Sequence, residues 1–501
     1  MREYGTRQRI GLIAGPVLFL FILAIPVPAD LPAEALRVGA VALLMATWWI
    51  SEALPIPATA LLPIVLFPVL GVMKTGEVTA SYGHPLIFLF IGGFFIAMAI
   101  EKCNLHERIA LHVIRWVGTS PARLVLGFMV ATAFLSMWIS NTATSMMMLP
   151  IGLAVVREAR ALLADQGRTV GATTGDFRFG VALMLGIAYG ASIGGVGTII
   201  GTPPNAVLVG MIDRLYGQQI TFASWMLFGV PLSVLMLVLS WLYLVNIAFR
   251  PEIDDLPGGR ALIESQLERL GPMSTAEVRV LAVFTAVALA WILRGFVHVE
   301  ALALVTDTTI AIAGALALFV IPADLRKGDF LLDWEHAVRI PWGVVILFGG
   351  GLALAGGFQA SALDQWLGAQ LSVLQGAPML IVLLTVVLLV IFLTEITSNT
   401  ATASVFVPVM AGLAVAMAVH PFALTVAAGV AASYAFMLPV ATPPNAVVFG
   451  SGHLSVPQMA WAGLWLNLLG ALLITLFLYL WLPLAWDIDL GVLPAEFGKS
   501  R

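Results

Sequence analysis

Charged residues are scarce in this chain of 501 residues: Asp, Glu, Lys and Arg make up 10% of it, while 60% is hydrophobic. Because a soluble domain has about a quarter of its residues charged, this composition excludes that class. The single cysteine, Cys103, excludes an intrachain disulfide and a cysteine-based metal cluster. There is no basic tail, and nothing indicates a nucleic-acid partner. The chain is therefore predicted to be an all-α polytopic membrane protein in contact with lipid.

Apolar runs of about 20 residues, the length of a helix that crosses a bilayer, recur along the chain. The first run follows three arginines and predicts a retained first helix within residues 1–34, with signal-peptide cleavage near Ala29 as the alternative. Segments 104–117 and 360–374 are predicted to lie at the membrane interface. Unbroken spans are predicted at 10–27, 35–51, 56–72, 86–101, 222–249, 276–296, 306–322, 341–357 and 458–485.

Two polar phrases, each present twice, interrupt otherwise apolar stretches. Ser-Asn-Thr-Ala-Thr stands at 140–144 and again at 398–402. The stretches that it cuts, 122–155 and 377–418, are predicted as re-entrant hairpins with the phrase at the tip, because pieces of about 15 residues are short for full spans.

The second phrase, Pro-Pro-Asn, ends at Asn205 in one half and at Asn445 in the other. Each copy lies inside a long apolar stretch, so broken helices are predicted over 179–213 and 421–450. With the unbroken spans, these predict about 11 transmembrane helices plus the two hairpins.

The two halves of the chain are related by an internal duplication. Asn141 falls on Asn399 and Pro150 on Pro408, an offset of 258 residues that also aligns a glycine patch. At the Pro-Pro-Asn phrases the offset drops to 240, from Asn205 to Asn445, and a predicted polar loop at 156–178 absorbs the difference. The parts are a first repeat at 35–249, a cytoplasmic linker at 250–275, a second repeat at 276–486 and an outer tail at 487–501.

The number of predicted spans between the two hairpins is odd, so the hairpins enter from opposite faces and the repeat is inverted. Charge gives an independent indication of orientation. With the N-terminus inside and the C-terminus outside, most of the 24 Lys and Arg residues lie in cytoplasmic segments, as the positive-inside rule requires. The exceptions are Arg37, Lys74, Arg214, Arg294, Lys499 and Arg501.

Non-helical backbone at membrane depth cannot face lipid, so the four breaks predict a shared polar cavity. Exposed N–H groups and the positive dipole end of a helix that starts after a hairpin tip favour anions, and two opposed tips suit a ligand with two carboxylates. Hydroxyl and carbonyl oxygens at the breaks are ligands for a hard cation such as sodium. No Lys or Arg adjoins either Ser-Asn-Thr phrase in the sequence, so bound sodium is expected to offset the charge of a dianion.

These doubled phrases, with the glycine-rich stretches before them, resemble those of the divalent anion:sodium symporter family, from about residue 35 to 485. The resemblance implies a bacterial inner-membrane homodimer in which a transport part moves elevator-fashion against a scaffold. It also implies sodium-coupled uptake of a C4 dicarboxylate such as succinate, malate or fumarate, with two sodium sites and no organic cofactor. A sodium-independent dicarboxylate exchanger, or a sulfate or tricarboxylate carrier, is the alternative.

The resemblance also assigns the site residues. The implied substrate contacts are Ser140, Asn141, Thr142, Ser398, Asn399, Thr400, Thr202, Pro203, Thr442 and Pro443. The implied sodium ligands are Ser136, Ser140, Asn141 and Gly201 at the first site, and Thr394, Thr397, Asn399 and Ala441 at the second. Ser136 and Thr394 keep the 258-residue offset, which supports two related ion sites independently of the family.

A few other residues invite two interpretations. Glu395, the one acid within a predicted hairpin, fits either substrate or ion coupling or a structural hydrogen bond. Asp307 is predicted to cap a helix, and His84 and His420 precede prolines at helix starts. No nucleophile–base pair or metal triad is evident at membrane depth, so an enzyme is not predicted.

Overall fold

The computed structural model describes residues 5–28, 31–118, 120–165, 177–253, 259–296, 304–370, 376–495 and 497. Most of this part of the chain is helical. The helices before the linker are α1 (Thr6–Ala24), α2 (Ala33–Ser51), α3 (Ile56–Thr59), α4 (Leu62–Val69), α5 (Thr75–Ala80), α6 (Pro85–Lys102), α7 (Leu105–Val117), α8 (Pro121–Ser136), α9 (Asn141–Asp165), α10 (Arg178–Gly195), α11 (Pro203–Tyr216) and α12 (Phe222–Tyr243).

The second half follows the same order of elements. Its helices are α13 (Gly259–Leu270), α14 (Thr275–Arg294), α15 (Asp307–Val320), α16 (Trp334–Ala337), α17 (Trp342–Ser361), α18 (Leu363–Gln370), α19 (Met379–Thr394), α20 (Asn399–Ala416), α21 (Pro421–Ala431), α22 (Pro443–Phe449), α23 (Val456–Leu476) and α24 (Leu482–Trp486). Short π-helical segments, Leu244–Ala248 and Phe477–Trp481, extend α12 and α23.

Within the described residues, nine helices are long and apolar enough to cross a membrane. Five further apolar helices are shorter, and they include α8 and α19, the helices that precede the two Ser-Asn-Thr phrases. The predicted count of about 11 spans and the re-entrant course of the hairpins stay predictions, because length and composition alone do not fix a membrane plane.

Several sequence predictions about single elements were wrong. The span predicted at 56–72 is divided at Ala60 and Leu61 into α3 and α4, because Pro63, in the first turn of α4, has no N–H to continue the preceding helix. The linker at 250–275 contains the helix α13, and α9 extends to Asp165, inside the predicted loop at 156–178.

An all-α chain was predicted, yet Pro322–Asp324 (β1) and Asp329–Phe330 (β2) pair as a small antiparallel ribbon. Residues 166–176 of the predicted loop, 254–258 of the linker, 371–374 of the interfacial segment and 496 and 498–501 of the tail lie outside the described residues.

Side chains cap several of the helices at the residue before the first turn. The His84 and His420 side chains accept hydrogen bonds from the backbone N–H of Leu86 and Phe422, so both cap their helices. The cap of α15 is Thr306, whose hydroxyl accepts from Thr309 N, and the prediction that Asp307 is the cap was wrong. Asp307 instead pairs with Arg294 at 2.9 Å.

Helix α10 lies at the centre of the first half and packs against both α8 and α9. Every one of its residues from Phe179 to Gly195 is buried. Small residues allow this close packing: a Cβ on Gly190 would lie 2.9 Å from the Met129 carbonyl oxygen. Helix α21 packs against α19 and α20 in the same way in the second half. The fold therefore holds each Ser-Asn-Thr phrase against a buried helix that precedes a Pro-Pro-Asn break.

Candidate binding site at the helix breaks

The first Ser-Asn-Thr phrase joins the end of α8 to the start of α9. Ser136 Oγ lies 2.6 Å from Asn141 Oδ1 and 2.8 Å from the Ala191 carbonyl oxygen, and its single proton can be donated to either. Ser140 Oγ accepts a hydrogen bond from Ala143 N at 3.3 Å. The last residue of α8 thus orients the first side chain of α9 and ties both to α10.

The second phrase repeats the contacts between the hydroxyl, the amide oxygen and the carbonyl oxygen. Thr394 Oγ1 lies 2.8 Å from Asn399 Oδ1 and 3.1 Å from the Ala432 carbonyl oxygen. Ser136 and Thr394 are both fully buried. The two halves thus share a hydroxyl–amide pair that rests on a carbonyl of the neighbouring buried helix or its end.

The phrases and the Pro-Pro-Asn breaks meet closely in the first half. A Cβ on Gly195 would lie 2.6 Å from Asn141 Oδ1 and 3.0 Å from the Gly201 carbonyl oxygen, and a Cβ on Gly201 would lie 2.9 Å from the Ser136 carbonyl oxygen. The structure therefore brings together Ser136, Asn141 and Gly201, three of the four residues predicted for the first sodium site. The fourth, Ser140, bonds locally to its own helix start.

At the second predicted sodium site, Thr394 and Asn399 are joined, but the other two residues bond elsewhere. Thr397 Oγ1 lies 2.6 Å from Thr402 Oγ1 and donates to Leu393 O at 3.0 Å as an alternative. Ala441 N donates to Leu438 O at 3.1 Å, within the break itself. The described hydrogen bonds thus connect only two of the four predicted ligands.

Two asparagines that sequence reasoning left out of the site hold the breaks in shape. Asn205 Nδ2 donates to the carbonyl oxygens of Thr198 at 2.8 Å and Gly195 at 3.3 Å. Asn445 Nδ2 donates to those of Leu438 at 3.0 Å and Ala435 at 3.2 Å. The signal was present in the sequence, since these asparagines end both Pro-Pro-Asn phrases.

The predicted substrate residues lie at the ends of these elements. Thr202 precedes α11 and Thr442 precedes α22, where Thr442 Oγ1 accepts from Asn445 N at 3.2 Å. Thr202 Oγ1 lies 3.5 Å from Ser433 Oγ, a contact between the two halves that the sequence did not reveal. Among the others, Thr400 is buried, Thr142, Ser398 and Pro203 are half-buried, and Pro443 is exposed.

Glu395 accepts hydrogen bonds from three consecutive backbone N–H groups of the second break. These come from Phe436 at 2.7 Å, Met437 at 2.9 Å and Leu438 at 3.0 Å. Asn467 Nδ2 donates to the same carboxylate at 2.7 Å. This geometry favours the structural interpretation of Glu395, because every contact serves to hold the break.

The first half fastens its break differently. Met137 stands where Glu395 stands in the second half, and its carbonyl oxygen accepts from the hydroxyl of Thr198. Trp225 Nε1 donates to Val196 O at 2.9 Å from the neighbouring helix α12. Each break is thus tied to the residue just after α8 or α19, which is Met137 in the first half and Glu395 in the second. In the first half the side chain comes from the break (Thr198), and in the second it comes from Glu395.

A cation from the first helix lies near the second Ser-Asn-Thr phrase, which begins two residues after Ile396. Arg7, at the start of α1, donates from Nη2 to Ile396 O at 2.9 Å and also to Ile50 O. This contact was not predicted, because Arg7 and Ile396 lie in opposite halves of the chain. The oxygen atoms of the Ser136–Asn141 and Thr394–Asn399 pairs are themselves neutral. Neutral oxygens of this kind are ligands for a monovalent hard cation.

Comparison with known proteins gives the family. A family model described as the sodium:sulfate symporter transmembrane region matches residues 7–487. A transporter from Staphylococcus saprophyticus is 47% identical over 491 residues, which is 97% of this chain and 94% of the relative. The chain belongs to this symporter family. The resemblance seen in the sequence is confirmed, as is the expectation of a transporter rather than an enzyme.

The similar members of the symporter family carry informative names. The Staphylococcus saprophyticus relative is named sodium-dependent dicarboxylate transporter SdcS. A Staphylococcus aureus protein of the same name is 47% identical over 493 residues, covering 98% of this chain and 94% of its own length.

Two solved transporter structures share the overall fold at low sequence identity. The Alcanivorax borkumensis YdaH transporter matches with a TM-score of 0.59 and 15% identity, covering 91% of this chain and 99% of its own. Neisseria gonorrhoeae MtrF matches with a TM-score of 0.55 and 13% identity, covering 95% and 94%. At these identities the likeness concerns the fold alone.

Proposed function

We propose that this symporter-family protein carries C4 dicarboxylates such as succinate, malate or fumarate into a bacterial cell, driven by sodium. One observation carries the proposal: the pairs Ser136–Asn141 and Thr394–Asn399 repeat the same hydrogen bonds at two helix starts. The 47% identical relatives, named sodium-dependent dicarboxylate transporters, support the choice of substrate and ion.

The substrate is bound between the two helix starts. One carboxylate accepts hydrogen bonds from the N-terminal turn of α9 and the other from that of α20, where unpaired N–H groups and the positive dipole end favour anions. The side chains of the two phrases and of Thr202 and Thr442 complete the contacts. The binding residues are Ser140, Asn141, Thr142, Ser398, Asn399, Thr400, Thr202, Pro203, Thr442 and Pro443.

Two sodium ions accompany the substrate as cargo. The first is held by oxygens of Ser136, Ser140, Asn141 and Gly201, and the second by those of Thr394, Thr397, Asn399 and Ala441. Because Asn141 and Asn399 serve both an ion and a carboxylate, each ion lowers the free energy of substrate binding through its charge. This shared use couples the two fluxes.

The protein works as an inner-membrane homodimer with about 11 transmembrane helices and two re-entrant hairpins, the N-terminus inside and the C-terminus outside. The repeats at 35–249 and 276–486 have opposite orientation. The part that contains the phrases moves across the bilayer against a scaffold, which exposes the site to each side in turn.

Uptake by purified protein in liposomes tests the function. With an inward sodium gradient, labelled succinate is expected to accumulate above its external concentration, and replacing sodium by potassium should remove accumulation. Equal uptake in potassium, given dicarboxylate inside the vesicles, would identify an exchanger instead. If sulfate or citrate competes with labelled succinate more strongly than malate does, the protein is instead a sulfate or tricarboxylate carrier.

A further inference from the structure

A basic pocket opens beside α7, away from the four helix breaks. Its volume is about 750 Å³, and its lining consists of His112, Arg115, Trp116, Gly118 and Arg260. Three of these five residues carry a basic side chain, and they come from two elements, α7 and α13, which pack against each other. The position of α13 in the linker therefore completes a site that neither helix forms alone.

The positive charge of this pocket is mostly unpaired. In the part of the chain that the structure describes, Arg115 has no hydrogen-bonding or ionic partner. Arg260 pairs with Glu264 at 2.9 Å, and both side chains are largely open to solvent. His112 uses Nδ1 toward Arg108 O at 2.8 Å, which leaves Nε2 available.

A further arginine lies next to the pocket. The backbone of Gly118 has a φ of +116°, which favours glycine, and a Cβ there would lie 3.2 Å from Arg123 Cδ. The absence of a side chain at this position lets the Arg123 stem lie against the pocket wall. Arg123 also has no ionic partner among the described residues, so it adds a further unpaired positive charge beside the pocket.

The pocket lies where transmembrane helices end. Helix α7 connects the end of α6 to the start of α8, and it buries Leu105, Leu111 and Ile114 against the protein. Trp116 is 87% exposed beside the basic groups. An exposed tryptophan next to arginines at the end of spans is typical of the level of lipid head groups. In the proposed orientation this is the cytoplasmic side.

The duplicated half has no such basic group. With the 258-residue offset, Arg115 falls on Val373 and Trp116 on Leu374, while His112 falls on Gln370. Of these three positions, only Gln370 lies within the described part of the corresponding helix, α18. The basic residues are thus specific to the half whose interfacial helix lies on the cytoplasmic side in the proposed orientation, the side where anionic head groups attract Lys and Arg.

We propose that this pocket binds the phosphate group of an anionic phospholipid, with Arg115 and Arg260 on the phosphate and Trp116 along the upper part of the lipid. Arginine matches phosphate through two parallel hydrogen bonds, and basic pockets at the membrane surface bind anionic head groups. Free phosphate has the same chemistry as the lipid's phosphate, and Trp116 favours the lipid.

Native mass spectrometry of the purified full-length protein tests this site. We expect phosphatidylglycerol to bind to the wild type, and the double variant Arg115→Gln with Arg260→Gln to lose about tenfold or more in affinity. Arg269→Gln, which removes a charge elsewhere on α13, should bind as the wild type does. Zwitterionic phosphatidylcholine should bind weakly to all three proteins.

Two results would overturn the proposal. Equal phosphatidylglycerol binding by the wild type and the double variant would remove the pocket as the site. Displacement of the lipid by an equal concentration of inorganic phosphate would make it a free-anion site. The elution profile and melting temperature establish that the double variant is folded. Replacing Arg115→Gln by Arg115→Lys in that double variant keeps the charge at this position and should restore part of the affinity for phosphatidylglycerol. Sodium-driven succinate uptake by the wild type is a separate measurement, so this site and the proposed transport activity fail independently.

Discussion

At the scale of single residues, the two asparagines that begin α9 and α20 are the centre of the proposed site. Each amide oxygen is held by a buried hydroxyl, at 2.6 Å from Ser136 and 2.8 Å from Thr394. The hydroxyl fixes the orientation of the amide before any ligand arrives, which lowers the entropy lost on binding.

Replacing Asn141 or Asn399 by alanine is expected to abolish succinate uptake while leaving the protein folded. A lost hydrogen bond to a charged group costs about 1.5–3 kcal/mol, and here an ion ligand is lost as well. Asn246→Ala is a matched control, because the Asn246 side chain donates to Leu242 O at the protein surface, outside the proposed site. Uptake at the wild-type rate in either of the first two variants would refute the site assignment.

The buried hydroxyls give a sharper test of sodium coupling. Ser136→Ala and Thr394→Val are expected to raise the sodium concentration for half-maximal uptake about tenfold, since each removes an ion ligand. Ser136→Thr and Thr394→Ser, which keep the hydroxyl, should stay near wild type. An unchanged sodium dependence in Ser136→Ala or Thr394→Val would separate these residues from the ion sites.

Glu395 is expected to act through the backbone that it holds. Glu395→Gln turns one acceptor into a donor that faces a backbone N–H, for instance that of Leu438, and so should lower stability by about 1–3 kcal/mol. Thr198→Val, which removes the bond to Met137 O and the bond from Gly201 N at the first break, is the matched variant in the other half. Melting temperature measures both, and no loss for Glu395→Gln would contradict a structural role.

The sequence could not decide between the two roles of Glu395. Its acceptance of three backbone N–H groups depends on residues 436–438, which come back to it through the tertiary fold. The Ser136–Asn141 pair, in contrast, joins residues only five positions apart. The 258-residue offset between the halves indicated this pair without a structure. Local pairs were thus predictable, whereas Ser433, Asn467 and Arg7 were not.

At the scale of elements, the helix breaks were predicted well and the connections were not. Both Pro-Pro-Asn breaks lie within the predicted broken helices, because proline and glycine end helices locally. The helix α13 was missed because its stability comes from packing on α7 and α9, which a polar composition does not reveal. The cap of α15 was assigned to Asp307 instead of Thr306, because the sequence did not show that Thr306 forms a capping box with Thr309.

Close approach of α10 to the first phrase gives an element-scale prediction. Gly195→Ala would place a methyl group 2.6 Å from Asn141 Oδ1, so it is expected to reduce uptake at least tenfold by displacing the phrase. Gly76→Ala in α5 meets no atom within 4 Å and is the matched control. At equal expression, succinate uptake should be lower in Gly195→Ala than in Gly76→Ala, and equal uptake would contradict the prediction.

At the scale of the whole molecule, the proposed orientation can be measured directly. In a Cys103→Ser background, Ser500→Cys should react with a membrane-impermeant maleimide added to intact cells, because the proposed C-terminus is outside. Ser265→Cys in α13 should react only after the membrane is permeabilised. Labelling of Ser265→Cys but not of Ser500→Cys in intact cells would reverse the topology.

The two halves share the phrases but not the means of holding the breaks. Glu395 and Asn467 do in the second half what Thr198 and Trp225 do in the first. A designed tandem of two first halves would therefore keep an uncharged interior, with a threonine at each break. A tandem of two second halves would instead enclose two carboxylates in one bilayer protein. A symmetric ancestor or artificial minimal transporter is thus more readily built from the first half.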